Sequence, residues 1–113
     1  MATYLIVHGG CGGGWQFRET AAYLRDAGHE VFTPTLTGLG ERNHLLTPDV
    51  DLATHIADVD NVLEFEDLHD VILVGHSYGG MVISGVADRS AERLSHLVYV
   101  DAFVPEHGES LED

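Results

Sequence analysis

Four apolar residues, Val71-Ile72-Leu73-Val74, run straight into Gly75-His76-Ser77-Tyr78-Gly79, and an apolar helical pattern through Met81, Val82 and Val86 follows at once. That order leaves little choice beyond strand, sharp turn and helix. A serine held in a strained conformation at such a turn exposes its hydroxyl, and a glycine two positions to either side lets the backbone cross closely there. Gly75 and Gly79 meet that need. The ordinary alternative is a plain βα turn with no chemistry, so flanking segments must decide.

The first strand, Thr3-Tyr4-Leu5-Ile6-Val7, enters a second glycine-rich turn, His8-Gly9-Gly10-Cys11-Gly12-Gly13-Gly14-Trp15. Acyl transfer requires two backbone N–H groups aimed at a developing oxyanion, one just after the nucleophile and one from a neighbouring glycine loop. Tyr78 and Gly10 are the natural donors.

These segments, with Ala27-Gly28-His29-Glu30-Val31, Pro34-Thr35-Leu36-Thr37-Gly38 and the continuation Gly80-Met81, resemble the α/β-hydrolase superfamily. Within it the chain is most similar to the methylesterase and hydroxynitrile-lyase-like branch with its bacterial esterase relatives. The resemblance runs from Tyr4 to about Leu111 and corresponds to the N-terminal half of such an enzyme. It implies Ser77 as nucleophile, Gly10 and Tyr78 as oxyanion donors, and carboxylic esters as substrates. Family members supply the catalytic Asp and His after later strands, and neither has a matching position here. The lyase members place a hydroxyl residue after the first histidine and use a late lysine. Here Gly9 stands at the first position and the chain has no lysine, which favours ester hydrolysis. His8, Gly9, Cys11 and Trp15, with Leu39 of the loop Thr37–His44, are the expected substrate-facing residues. Cys11 also fits as a small filler.

Other glycine-loop chemistries fail on particular residues. A phosphate loop of the Walker type needs the missing lysine, and Trp15 stands where a dinucleotide fingerprint starting at Gly10 needs its third glycine. A net charge of −14 repels nucleic acid and anionic membranes, and leans the substrate toward a small neutral ester or another apolar molecule. The single cysteine excludes an intrachain disulfide. With no basic leader and no run of membrane-spanning length, the sequence is expected to be cytoplasmic. No cofactor and no metal site is implied.

The 113 residues form one expected domain in which strands alternate with helices. Strands are expected at about 3–8, 30–36, 70–75 and 96–101, and helices at about 15–27, 48–66 and 78–90. The fold class is α/β, with a parallel sheet of about four strands in the family order 2-1-3-4. Thr47 and Pro48 are expected to open the second helix, whose apolar stripe is Leu52, Ile56, Val59 and Leu63. Gly28 is expected to cap the first helix, and Arg93 to lie near the C-terminal end of the third.

An unpaired apolar edge on the last strand would seek a partner chain, giving a homodimer or complementation by a second polypeptide. Without the family's acid and base, Asp101 with His107 is the nearest substitute pair within the chain. His76 should point away from Ser77 by strand alternation, and His8 should order the glycine loop. His29, His69 and His96 are expected at the surface, His55 solvated off the apolar stripe. Three function classes follow: the nucleophile half of an esterase, a half-size hydrolase competent as an oligomer, or a non-enzymatic binder of apolar ligands.

Overall fold

A computed structural model describes residues 1–102. Strand β1 (Thr3–Val7) leads through a 3-10 turn (Gly14–Phe17) into helix α1 (Arg18–Asp26), then strand β2 (Glu30–Phe32). A second 3-10 segment (Gly40–Leu45) precedes helix α2 (Leu52–Phe65), strand β3 (Val71–His76), helix α3 (Gly79–Ser90), a third 3-10 turn (Ala91–Arg93) and strand β4 (Leu94–Val100). All pairings are parallel and the sheet order is β2-β1-β3-β4, as expected for α/β crossovers.

Strand alternation sorts the core into two layers. Leu5, Val7, Val71 and Leu73 point to the side covered by α2 and α3, where they meet Val59, Leu63, Val82, Ile83 and Val86 at or near zero exposure. Ile6 points the other way and packs with Val31 and Ala21 of α1.

Several boundaries differ from the sequence expectation. β2 stops at Phe32 because Pro34 has no N–H for a ladder, and the Leu36 N–H is already donated to His8 Nε2 (2.9 Å). The first helix splits into a 3-10 turn and α1, ending where Gly28 (φ +93°) closes a Schellman motif: His29 N–H donates to Leu24 O and Gly28 N–H to Arg25 O. α2 starts at Leu52 rather than at Pro48. The Asp51 carboxylate accepts from Thr54 N–H (3.0 Å) and the Thr54 hydroxyl faces the Asp51 amide (3.2 Å), a reciprocal cap stronger than any Thr47 could form. Thr47 instead accepts from Asp49 N–H in a turn before the helix. Arg93 lies just past α3 as expected, but its guanidinium donates to carbonyls of Leu63, in the last turn of α2, and of Leu68, just beyond that helix.

Candidate active site

Ser77 follows the last residue of β3 and adopts φ +54°, a left-handed conformation that non-glycine residues take only where the surroundings impose it. Those surroundings are visible. A Cβ built on Gly75 would lie 2.6 Å from the Gly79 carbonyl oxygen, and one on Gly79 would run into the Val7 carbonyl. Strand and helix therefore cross too closely at the turn for any side chain at either glycine. The Ser77 amide donates to Val100 O (3.3 Å), and Gly80 N–H returns to Ser77 O (2.9 Å). The serine sits on a pinned corner at the C-terminal ends of the central strands, where open parallel sheets bind ligands.

The glycine loop after β1 packs against this corner. A Cβ on Gly9 would stand 3.2 Å from Ser77 Cβ, and one on Gly10 would stand 3.7 Å from Tyr78 Cβ. Among the described residues, neither the Gly10 nor the Tyr78 amide has a hydrogen-bond acceptor. Both N–H groups therefore lie at the serine corner with no acceptor among the described residues.

His8 holds that loop in shape. It is wholly buried; Nε2 accepts from Leu36 N–H, which leaves the proton on Nδ1 to be donated to Gly9 O (2.6 Å). Burial lowers its pKa and keeps the ring neutral. Both ring nitrogens are engaged within the protein. Cys11 and Gly10 are exposed, Trp15 is half-exposed and Leu39 is partly buried in the core beneath the loop. Thr35 closes the loop from below: its hydroxyl accepts from Gly14 N–H (2.9 Å) and donates to Glu41 (2.6 Å). That bond holds the Glu41 carboxyl below its usual range.

The largest departure from the sequence reading is His55. It is buried, not solvated: Nε2 donates to Thr37 O (2.9 Å), so Nδ1 is the acceptor for the Tyr78 hydroxyl (2.8 Å). Thr37 in turn donates from both its amide and its hydroxyl to Asp58 (2.7 Å each). Burial pushes the Tyr78 phenol up to about 12. The signal was in the spacing: position 55 lies three residues after Leu52 and four before Val59, on the margin of the apolar stripe.

Among the other histidines, His69 and His96 are exposed as expected, while His29 is half-buried and accepts from the Ala2 amide (3.0 Å). The His76 ring lies edge-on to Phe17, and its Nδ1 is buried with no partner among the described residues. No described side chain hydrogen-bonds Ser77 Oγ, and no described cluster of His, Cys, Asp or Glu could hold a metal. Asp101 follows β4 directly and is exposed, with φ +43°. His107 lies outside the described residues.

A four-stranded parallel sheet with a serine on a glycine-flanked elbow and a glycine loop packed against it defines the α/β-hydrolase class. The alpha/beta hydrolase family model matches residues 4–111, and the chain belongs to that family. It is 63% identical over 111 residues to a carbendazim hydrolyzing esterase of Nocardioides sp. (strain SG-4G), covering 98% of this chain and 46% of that protein. Methyl jasmonate esterase 1 of Vitis vinifera is 32% identical over 107 residues, covering 90% of this chain and 40% of its own length. Among solved structures, an extracellular α/β-hydrolase from a Paenibacillus species superposes with a TM-score of 0.86 at 34% identity, over 94% of this chain and 43% of that one. The chain spans less than half the length of these relatives and corresponds to their N-terminal half.

Proposed function

We propose that this chain carries the nucleophile half of a carboxylic ester hydrolase. The observation that carries the reading is Ser77 at φ +54° with Gly9 packed against its Cβ and two free amides beside it. In the reaction, Ser77 Oγ attacks the ester carbonyl carbon while a base takes the hydroxyl proton. The N–H groups of Gly10 and Tyr78 stabilise the oxyanion. Collapse expels the alcohol, which receives that proton, and water then cleaves the acyl-serine to a carboxylate and restores Ser77.

A serine hydroxyl is a poor nucleophile without a base, so the site requires an acid and a base from a complementing segment. The outer side of β4, where Leu97, Val98 and Val100 are 38–44% exposed, suits the docking of that segment or of a second copy. Within the chain, Asp101 with His107 is the substitute: Asp101 adjoins Val100, whose carbonyl accepts the Ser77 amide. The net charge of −14 favours a small neutral ester over an anionic one.

The test is a serine-reactive fluorophosphonate, with the labelled residue found by mass spectrometry. Labelling at Ser77, abolished in Ser77→Ala and accelerated by a separately expressed C-terminal half of an esterase relative, is the expected result. Binding of apolar ligands without labelling, even with that half added, overturns the reading in favour of a non-catalytic module. Loss of labelling in His107→Ala would assign the base to this chain.

A further inference from the structure

A buried histidine with both ring nitrogens filled is ordinarily a satisfied core group and nothing more. The identity of His55's partners sets it apart. One is the side chain of Tyr78, the residue directly after the elbow serine. The other is the carbonyl of Thr37, in the loop that leaves β2 on the same side of the sheet. Thr37 is itself fixed by two hydrogen bonds to Asp58, one turn further along α2. Helix α2 thus grips the elbow and the crossover loop through one imidazole, whose tautomer is set by the carbonyl it must donate to. A strained serine persists only where its neighbours over-determine it. Although the Tyr78 ring packs on the core, its hydroxyl has His55 as its one side-chain partner among the described residues.

We infer that His55 is a positioning residue for the nucleophile corner, acting through the Tyr78 hydroxyl to hold Ser77 and the Tyr78 amide in register with the glycine loop. This rests on the reading of Ser77 as nucleophile, so its test has two arms. In the first, amide hydrogen exchange is followed in the full chain for wild type, His55→Leu, Tyr78→Phe and the double variant, at temperatures well below each melting point. Exchange of the Ser77 and Gly80 amides should accelerate on the order of tenfold in each single variant and no further in the double, while Leu5 and Leu73 stay protected. In the second, Ser77 phosphonylation with an excess of fluorophosphonate should slow by a similar factor, again without addition in the double variant. His55→Gln, which retains a donor and an acceptor, should recover part of both.

Unchanged exchange at Ser77 and Gly80 in folded variants overturns the inference, as does a lowered melting point with wild-type labelling rates. A wild-type chain that never labels, alone or with the complementing half, but whose elbow exchange responds to His55, rejects the nucleophile reading and leaves the positioning role standing. If His55→Leu fails to fold, Tyr78→Phe carries both arms, since it removes only the hydroxyl.

Discussion

The centre of the sheet and its β4 margin are built by opposite rules. At the centre, β1 and β3 are flanked on both sides, their core-facing residues have no exposure, and the turn between β3 and α3 tolerates no added atom. At the margin, five of the seven β4 residues are exposed, Leu97, Val98 and Val100 among them, although the strand is hydrogen-bonded to β3 along its length. The contrast teaches that the Ser77 corner is fixed by close backbone packing, whereas the margin of the sheet presents apolar surface. Under the proposed function, the centre would supply the nucleophile and the margin the docking surface.

The sharpest way to break this contrast is at the glycines. Gly79→Ala places a methyl group against the Val7 carbonyl, where neither strand nor helix can move without disturbing the other, and should destabilise the protein by more than about 3 kcal/mol or prevent folding. Gly28→Ala is the control. Gly28 also has positive φ but nothing within 4 Å of the added Cβ, so only backbone strain remains, about 1 kcal/mol. Denaturant midpoints distinguish the two. Equal losses would mean that the corner is no tighter than an ordinary helix cap.

The register pair Leu73 and Leu97 tests the same contrast with one substitution on neighbouring strands. Leu73 is fully buried and Leu97 is 38% exposed. Leu73→Ala should lower stability by about 2–5 kcal/mol through lost burial and a cavity, and Leu97→Ala by less than about 1.5 kcal/mol. A comparable loss at Leu97 would show that the margin is covered in solution.

The centre should also be the acid-sensitive region. His8 is neutral when folded, with its pKa lowered by burial from the ordinary 6.5. In the unfolded chain it takes a proton as pH falls through that value, so the folded state loses stability below about pH 6.5 until the folded pKa is reached; above that range the effect is absent. Unfolding midpoints across the range check the sign, and His8→Gln, which keeps an acceptor and does not titrate, should flatten the His8 part of the slope. Glu41, with its pKa lowered chiefly by the Thr35 hydroxyl, adds loss only in the carboxylate range, as pH falls below its ordinary 4.5.

What the sequence made legible follows the same division. The parallel order and the elbow were readable because they rest on local signals: period-two strands, a 3.6-period helix, and glycines with a steric reason to be glycine. Hidden were the long-range polar contacts, since nothing in sequence spacing pairs His55 with Tyr78, or Gly14 with Thr35. Thr47-Pro48 is a good local helix opening, yet α2 starts at Leu52, because only Asp51 with Thr54 closes a reciprocal cap. His8 orders the glycine loop, as its position at the end of β1 suggests, but its second partner, the Leu36 amide, comes from the loop after β2, which no local pattern reveals.

The smallest expected effect lies at the margin and bears on association. Val98 and Val100 are 39% and 44% exposed on the outermost strand. Val98→Thr with Val100→Thr keeps the β-branched shape that suits a strand and removes apolar surface from water's side only. Protomer stability should change by no more than about 0.5 kcal/mol, as for other surface substitutions. If that surface is where a second copy or a complementing segment docks, the same pair should shift sedimentation toward monomer, or weaken activation by an added C-terminal half. Fluorophosphonate reactivity of the isolated chain should stay unchanged, because the corner meets β4 through backbone pairing and the Val100 carbonyl, all of which threonine retains. A sedimentation profile already monomeric across micromolar concentrations, together with undiminished complementation by the double variant, would move the docking surface off β4 altogether.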